Sequence, residues 1–393
     1  MRILLIILLI VFGVVARFYL WPWWQEMNYR PGGEVHNEER KQSLQGRSIP
    51  ERHRKIRETW KKHEHPDEDR VAQIVRKILI DAFDGNFDEL ESLAAKMKKE
   101  PPLEKYGVRR MAAFYQGFRN YSDWNRQDAG NWYGKLLDKM DAWKAAYPES
   151  PYPWIAKSGL LIDYAWWARG GDFASEVTDA QWRRFGERLE EALETLQQAP
   201  ESARAELDYY LNSLTIGLGL GFTKEQMETI FKQGQARFPD AVSLYSRMTL
   251  FLAPRWYGES PNESHEWLLK ATENLPSDTA DKVYADAMMN AAWRYEPGEL
   301  LSQPGADWSR IKRGMAQIQK NAPESTSLPS RMLKIGVIAE DWEFVSQTVA
   351  AMGHRFDSWE WNDTYDADFF DLLLALQTEG IIPAQTPRAQ QAD

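Results

Sequence analysis

Two stretches of this sequence set an arginine among tryptophans. DYAWWARGG occupies 163–171 and places Trp166 and Trp167 just before Arg169. PRWYG occupies 254–258 and places Arg255 directly before Trp256 and Tyr257. The chemistry open to such a group is recognition: a guanidinium stacks on an aromatic face while its planar fork holds a carboxylate or a backbone carbonyl. The same residues have a structural use, because an arginine near a helix C-terminus interacts well with the terminal carbonyls. Neighbouring residues on a helix point about 100° apart, so Trp166 and Trp167 cannot share one narrow face. The sequence favours the structural use, with at least one of the two tryptophans buried and Arg169 holding the turn. Trp166, Trp167, Arg169, Arg255, Trp256 and Tyr257 are the candidate ligand- or partner-binding residues.

Other chemistries find less footing. The chain has no cysteine, so disulfides, thiolate nucleophiles and cysteine metal sites are all impossible. His36, His53, His63 and His65 fall in or beside a charged tract, where a weak surface metal site competes with a solvated tether; the tether is the expectation. His265 stands in NESHEW, but position 269 is Leu, so the second histidine of a zincin helix is missing. His354 is alone. GLGLGF at 217–222 lacks both the Lys–Ser/Thr of a P-loop and the GxGxxG spacing. It reads as a helix end, with a tight turn before a helix over 223–233. Gly-x-Ser-x-Gly is absent. Carboxylates such as Glu263, Glu266 and the pair Glu340–Asp341 are plentiful, but hydrolysis needs a cleft and a fixed separation, which spacing does not supply. The expectation is no catalytic residue, no cofactor and no metal, and binding rather than catalysis.

Lys and Arg total 48 against 58 Asp and Glu, a net charge of -10. That balance disfavours nucleic acid, which selects a basic groove. With 43% hydrophobic residues most of the chain should fold, and the 13% that are aromatic must be used in packing, membrane contact or ligand contact.

The chain opens MRILLIILLIVFGVVARFYLWPWW. An apolar run from Ile3 to Ala16 is followed by Arg17 and an aromatic cluster. Residues 3–24 reach the roughly 20 residues of a membrane span if Arg17 snorkels to the headgroups. A cleaved signal ending near Ala16 is the rival, but it would be very short and would leave an exposed aromatic start. The expectation is a transmembrane signal-anchor over 1–24, single-pass in a bacterial inner membrane. Basic residues on the two sides nearly tie, and a periplasmic placement of the large domain is preferred.

Residues 25–65 read as a charged tether. From about Asp67 the pattern turns helical: Val71, Ile74, Val75, Ile78 and Leu79 fall on one stripe, as do Phe87, Leu90, Leu93, Ala94 and Met97. Short proline tags then recur: AAYPES, QAPES, ARFPDA, NLPSDTA and NAPES, with Pro148, Pro200, Pro239, Pro276 and Pro323. Proline suits the first helical turn, and Ser or Asp beside it can cap free N–H groups. Separations of roughly 40 residues fit a helical-hairpin repeat with loop insertions. The expected fold is all-α: irregular tetratricopeptide-like helical hairpins, a solenoid or compact superhelix, over 66–379. A disordered tail is expected over 380–393.

Three stretches also carry a family likeness: Ile80–Phe118 with GNFDELESL and YQGF, Pro148–Gly171 ending WWARGG, and Phe238–Lys270 with FLAPRWYGESPNESHEWLLKA. Together they resemble bacterial domain-of-unknown-function family 4034, a divergent tetratricopeptide-like helical family. The likeness spans roughly 75–345, and ARG and PRWYG are its most specific parts. It implies an architecture and no catalytic residues. Tyr257 departs from the small residue, often Gly, expected there, which puts the geometry of that turn in question.

The leading functional expectation is a membrane-tethered repeat domain that binds a protein partner in the cell envelope. A glycan or small-ligand module of the envelope, with or without hydrolase activity, is a second reading. A purely structural subunit of a membrane complex is the third. The sequence leaves the oligomeric state open.

Overall fold

A computed structural model describes residues 61–62, 66–100, 109–119, 129–170, 174–260, 262–291, 306–321, 323, 325, 327–353, 355–356, 366–378 and 380–382. These residues form fifteen α-helices: α1 (Pro66–Asp84), α2 (Phe87–Lys99), α3 (Arg110–Gln116), α4 (Ala129–Ala146), α5 (Tyr152–Arg169), α6 (Asp179–Gln197), α7 (Leu207–Leu220), α8 (Lys224–Arg237), α9 (Val242–Phe251), α10 (Glu263–Thr272), α11 (Ser277–Ala291), α12 (Trp308–Asn321), α13 (Ser327–Ile338), α14 (Trp342–Ala351) and α15 (Asp366–Thr378). Two short strands, β1 (Lys61–Lys62) and β2 (Arg355–Phe356), pair in parallel and bring residues from opposite ends of the sequence together.

From α3 onward the helices stand in two rows. Helices α3, α5, α7, α9, α11 and α13 pack successively against one another. Helices α4, α6, α8, α10, α12 and α14 pack alongside that first row. This is a stack of helical hairpins, in which each pair buries what it could not bury alone. The row decides the residue pattern. Helix α6 is amphipathic and buries Phe185, Leu189, Ala192 and Leu196 along one face. Helix α5, packed by α3, α4, α6 and α7, is buried nearly all round, from Ile155 and Ala156 to Leu160, Leu161 and Ile162.

Two of the proline tags repeat a bond as well as a sequence, and Arg204, just beyond a third tag, accepts the same one. Trp154 Nε1 donates to the carbonyl of Pro148 at 3.3 Å, the Tyr210 hydroxyl to that of Arg204 at 3.0 Å, and the Tyr245 hydroxyl to that of Pro239 at 2.7 Å. Each donor lies six residues beyond its acceptor. Ser202 Oγ joins two tags directly by donating to the Glu149 carbonyl at 3.0 Å.

The expectation at GLGLGF is corrected in detail. Helix α7 runs on to Leu220, and Gly221, at φ +71°, ends it in the left-handed region. Gly219 lies inside the helix because a Cβ there would stand 2.3 Å from Leu189 Cδ1 of α6. Thr223 then caps α8 through a reciprocal capping box with Gln226.

The membrane-anchored form of the expected architecture is also corrected. The described fold is all-helical and repeat-like, and among the described residues no helix is long and apolar enough to cross a membrane. The physical reason is charge and pattern: α5, long and largely buried, carries Lys157, Asp163 and Arg169, and α6 is charged along its outer face. The signal-anchor expected over 1–24 and most of the tether lie outside the described residues. The transmembrane helix, the membrane as a partner, the inner-membrane location and the periplasmic orientation are therefore dropped from the functional reading. At the other end, Ile382 is buried against Leu373 and Leu376, and 383–393 lie outside the described residues.

Candidate functional site

The end of α5 is fixed by a small polar network. Gly170, at φ +80°, breaks the helix, and its N–H donates to the Trp166 carbonyl at 3.1 Å. Arg169 Nη1 donates to the Gly170 carbonyl at 3.0 Å, and its guanidinium lies 5.8 Å from the Trp166 ring and 5.3 Å from Trp182. Gln181 links this end to the start of α6. Its Nε2 donates to the Arg169 carbonyl at 3.1 Å, while its Oε1 accepts from the Thr178 N–H at 2.9 Å. The arginine thus ties down its own turn. The segment that follows, 171–173, lies outside the described residues.

The two tryptophans diverge as helical geometry demands, and both are half-buried. Trp166 turns towards α6 and meets Phe185 edge-on at 4.8 Å. It also meets Trp256 of the PRWYG stretch at 5.9 Å and 83°. Trp167 turns towards α4, 5.8 Å from Tyr164 and 6.1 Å from Tyr133. Tyr257 fits its turn without crowding: its ring stacks on Phe251 at 4.8 Å, and its hydroxyl donates to the Leu218 carbonyl at 3.1 Å. The close approach falls on the next residue, Gly258, where a Cβ would stand 2.1 Å from the Leu252 carbonyl oxygen. Arg255 is exposed.

Beside Trp167 a pocket of about 500 Å³ opens between α4, α5 and α6. Helix α5 supplies Tyr164, Trp167 and Ala168, and α4 supplies Gly130. Thr178, Gln181, Arg184 and Arg188 close it from the side of α6. Tyr164 carries a three-layer stack, with Tyr133 at 4.2 Å and 18° on one face and the Arg188 guanidinium 3.3 Å from its centroid on the other. Arg188 Nη1 also donates to the Tyr164 carbonyl at 3.0 Å. Burial, with the nearby charge of Arg184 adding to it, pulls the Arg188 guanidinium below its ordinary value, and the Tyr164 ring opposes that shift. No described lining residue is a carboxylate.

Of the six residues singled out in the sequence, Trp167 lines this pocket. Trp166 and Trp256 meet next to it, and Arg169 fixes the turn that leads to it. Tyr164, Gln181, Arg184 and Arg188 were missed. A signal for the last two existed in QWRRFGER, where two arginines four apart share a helix face.

The other candidates serve packing. Asp341, of the pair Glu340–Asp341, accepts from Trp308 Nε1 at 2.7 Å, Lys312 Nζ at 2.9 Å and the Phe344 N–H at 3.0 Å. Glu263 pairs with Lys224. The His265 ring sits buried against the Tyr284 hydroxyl, 3.1 Å from Nδ1. Among the described residues, no group of three His, Asp or Glu side chains could hold a metal ion. His354 lies outside them.

No protein-family model, curated protein or solved structure matches the chain.

Proposed function

We propose that the chain is a helical-repeat module that holds a segment of a partner protein, docked where α4, α5 and α6 meet. The observation that carries this reading is the pocket beside Trp167, a concave seat with aromatic and arginine walls. Its volume falls within the range of about 300–1,000 Å³ usual for ligand sites. Tryptophan, tyrosine and arginine are the residue types that concentrate binding energy at interfaces, and stacked hairpins offer an extended surface around such a point. Kinship with family 4034 and a repeat domain over 66–379 belong to the same proposal, carried by the ARG and PRWYG stretches and by the spacing of the tags. Hydrolysis by paired carboxylates has no support here, since none of the described lining residues is acidic.

A photo-crosslinking residue placed at Gly130 tests the reading. Gly130 is exposed on the pocket wall, and a Cβ there makes only ordinary contact, 3.6 Å from the Tyr164 hydroxyl. Irradiation of cells should trap one protein species at this position and not at Glu225, an exposed position on α8. Equal labelling at both positions, or none at either, rejects the docking point.

A further inference from the structure

The partly buried cations of this protein are, as a rule, answered by carboxylates. Arg109 meets Asp208 at 3.2 Å, Lys157 meets Asp141 at 2.8 Å, and Arg310 meets Asp281 at 2.8 Å. The half-buried Arg188 breaks the rule, and the exposed Arg184 beside it goes unanswered too. Among the described residues Arg184 makes no hydrogen bond or ion pair, and Arg188 bonds the Tyr164 carbonyl alone. The two lie one helical turn apart on α6, so they share a face, and that face is a pocket wall.

The Tyr133–Tyr164–Arg188 stack holds one guanidinium in place. A guanidinium has five N–H donors, and one carbonyl leaves most of them to be satisfied from the pocket side or by water. Trp167 lines the same pocket. An anion entering here finds two forks and no acidic residue among the described lining, on a chain whose net charge is -10.

From this geometry we infer that the pocket recognises a carboxylate-bearing segment of a protein: an Asp or Glu side chain taken between Arg184 and Arg188, with a neighbouring flat or apolar side chain laid on Trp167. The inference deepens the binding-module reading and rests on it. Paired forks favour a planar carboxylate, which accepts two parallel N–H bonds.

The test is isothermal titration calorimetry of the full chain with acetyl-Gly-Glu-Phe-Glu-Gly-amide and with its twin carrying Gln for both Glu. The acidic peptide should bind about tenfold or more tightly than the twin, the scale expected for a charge-assisted pair. Arg184→Gln should abolish that preference and leave the thermal unfolding unchanged, since the exposed side chain has no hydrogen bond or ion pair among the described residues to lose. Arg183→Gln, which alters an exposed arginine outside the pocket, should leave it intact. Arg188→Lys should weaken binding, because a point charge replaces a fork. Equal binding of the two peptides, failure of both, or an Arg184→Gln result matching Arg183→Gln overturns the inference. Inorganic phosphate binding as tightly as the acidic peptide also overturns it, in favour of a free small anion. The crosslink at Gly130 judges the binding-module reading separately, so each can fail without the other.

Discussion

Trp166 and Trp256 meet edge to face, 5.9 Å apart, across two different hairpins. Trp166 packs on the apolar cluster centred on α5 and α6, and Trp256 on the cluster centred on α7, α9 and α11. The pair therefore joins two parts of the core. An edge-to-face pair contributes about 0.5–1.5 kcal/mol beyond its buried area. A double-mutant cycle with Trp166→Leu and Trp256→Leu, followed by urea unfolding, should show coupling of about that size. Strictly additive losses would mean the contact carries no energy of its own.

The glycines at 258 and 134 should respond in opposite directions to alanine. A Cβ at Gly258 meets the Leu252 carbonyl at 2.1 Å, and backbone there cannot swing aside cheaply. Gly258→Ala should cost about 1–3 kcal/mol, the range for overpacking. Gly134 lies inside α4 with nothing within 4 Å of the added atom. Gly134→Ala should stabilise by about 0.5–1 kcal/mol through helix propensity. Melting temperatures of the two variants against the parent decide it, and a loss at both positions contradicts the assignment at Gly134.

Asp163 should make stability depend on pH. Burial raises its carboxyl from 3.8 to about 6, although Arg119 and Arg247 pull the other way. A folded value above the unfolded one means the folded state holds the extra proton. Stability from this group is therefore full below the unfolded value and is lost as pH rises from about 4 to about 6. Asp163→Asn should remove that slope and leave the variant relatively more stable at pH 7 than at pH 4. Chemical denaturation at several pH values compares the two chains, and parallel profiles refute the assignment.

Asp341 should act with the opposite sign. Burial pushes its carboxyl up, but bonds from Trp308, the Phe344 N–H and Lys312 outweigh burial and hold it below the usual range. Its contribution is present above the unfolded value and is lost as pH falls through the folded one. Asp341→Ala removes the cap of α14 as well as the Trp308 bond. A loss of about 1–2 kcal/mol near neutrality is expected from the cap alone. The loss should shrink in acid. Hydrogen exchange in the first turn of α14 reports it, and unchanged protection there shows that the cap is dispensable.

The site was legible only in part. Of the six candidates Trp167 lines the pocket, because a tryptophan pair that ends a helix must face in two directions. Trp166 took the core and Trp167 took the pocket edge, and no local rule says which does which. Tyr164 gave no warning, and the arginines of QWRRFGER showed a shared face but not the stack on Tyr164, which exists only after α5 and α6 are packed side by side. Tyr257 warned of crowding that did not arise, because its ring found Phe251 and its hydroxyl found Leu218.

By itself the sequence determined that the described chain is helical and where most hairpins turn. Those are local matters: apolar spacing, proline at a helix start, glycine or a capping threonine at an end. It also removed cysteine chemistry outright. The tertiary structure decided the rest. It set the two rows that leave α5 buried nearly all round and α6 half-wet, brought Trp256 to Trp166, and left Arg184 and Arg188 facing a pocket rather than a carboxylate. Those outcomes depend on which helices become neighbours, and neighbours distant in sequence are chosen by the packing of whole faces. Periodicity reveals that a face exists and does not reveal what it will meet.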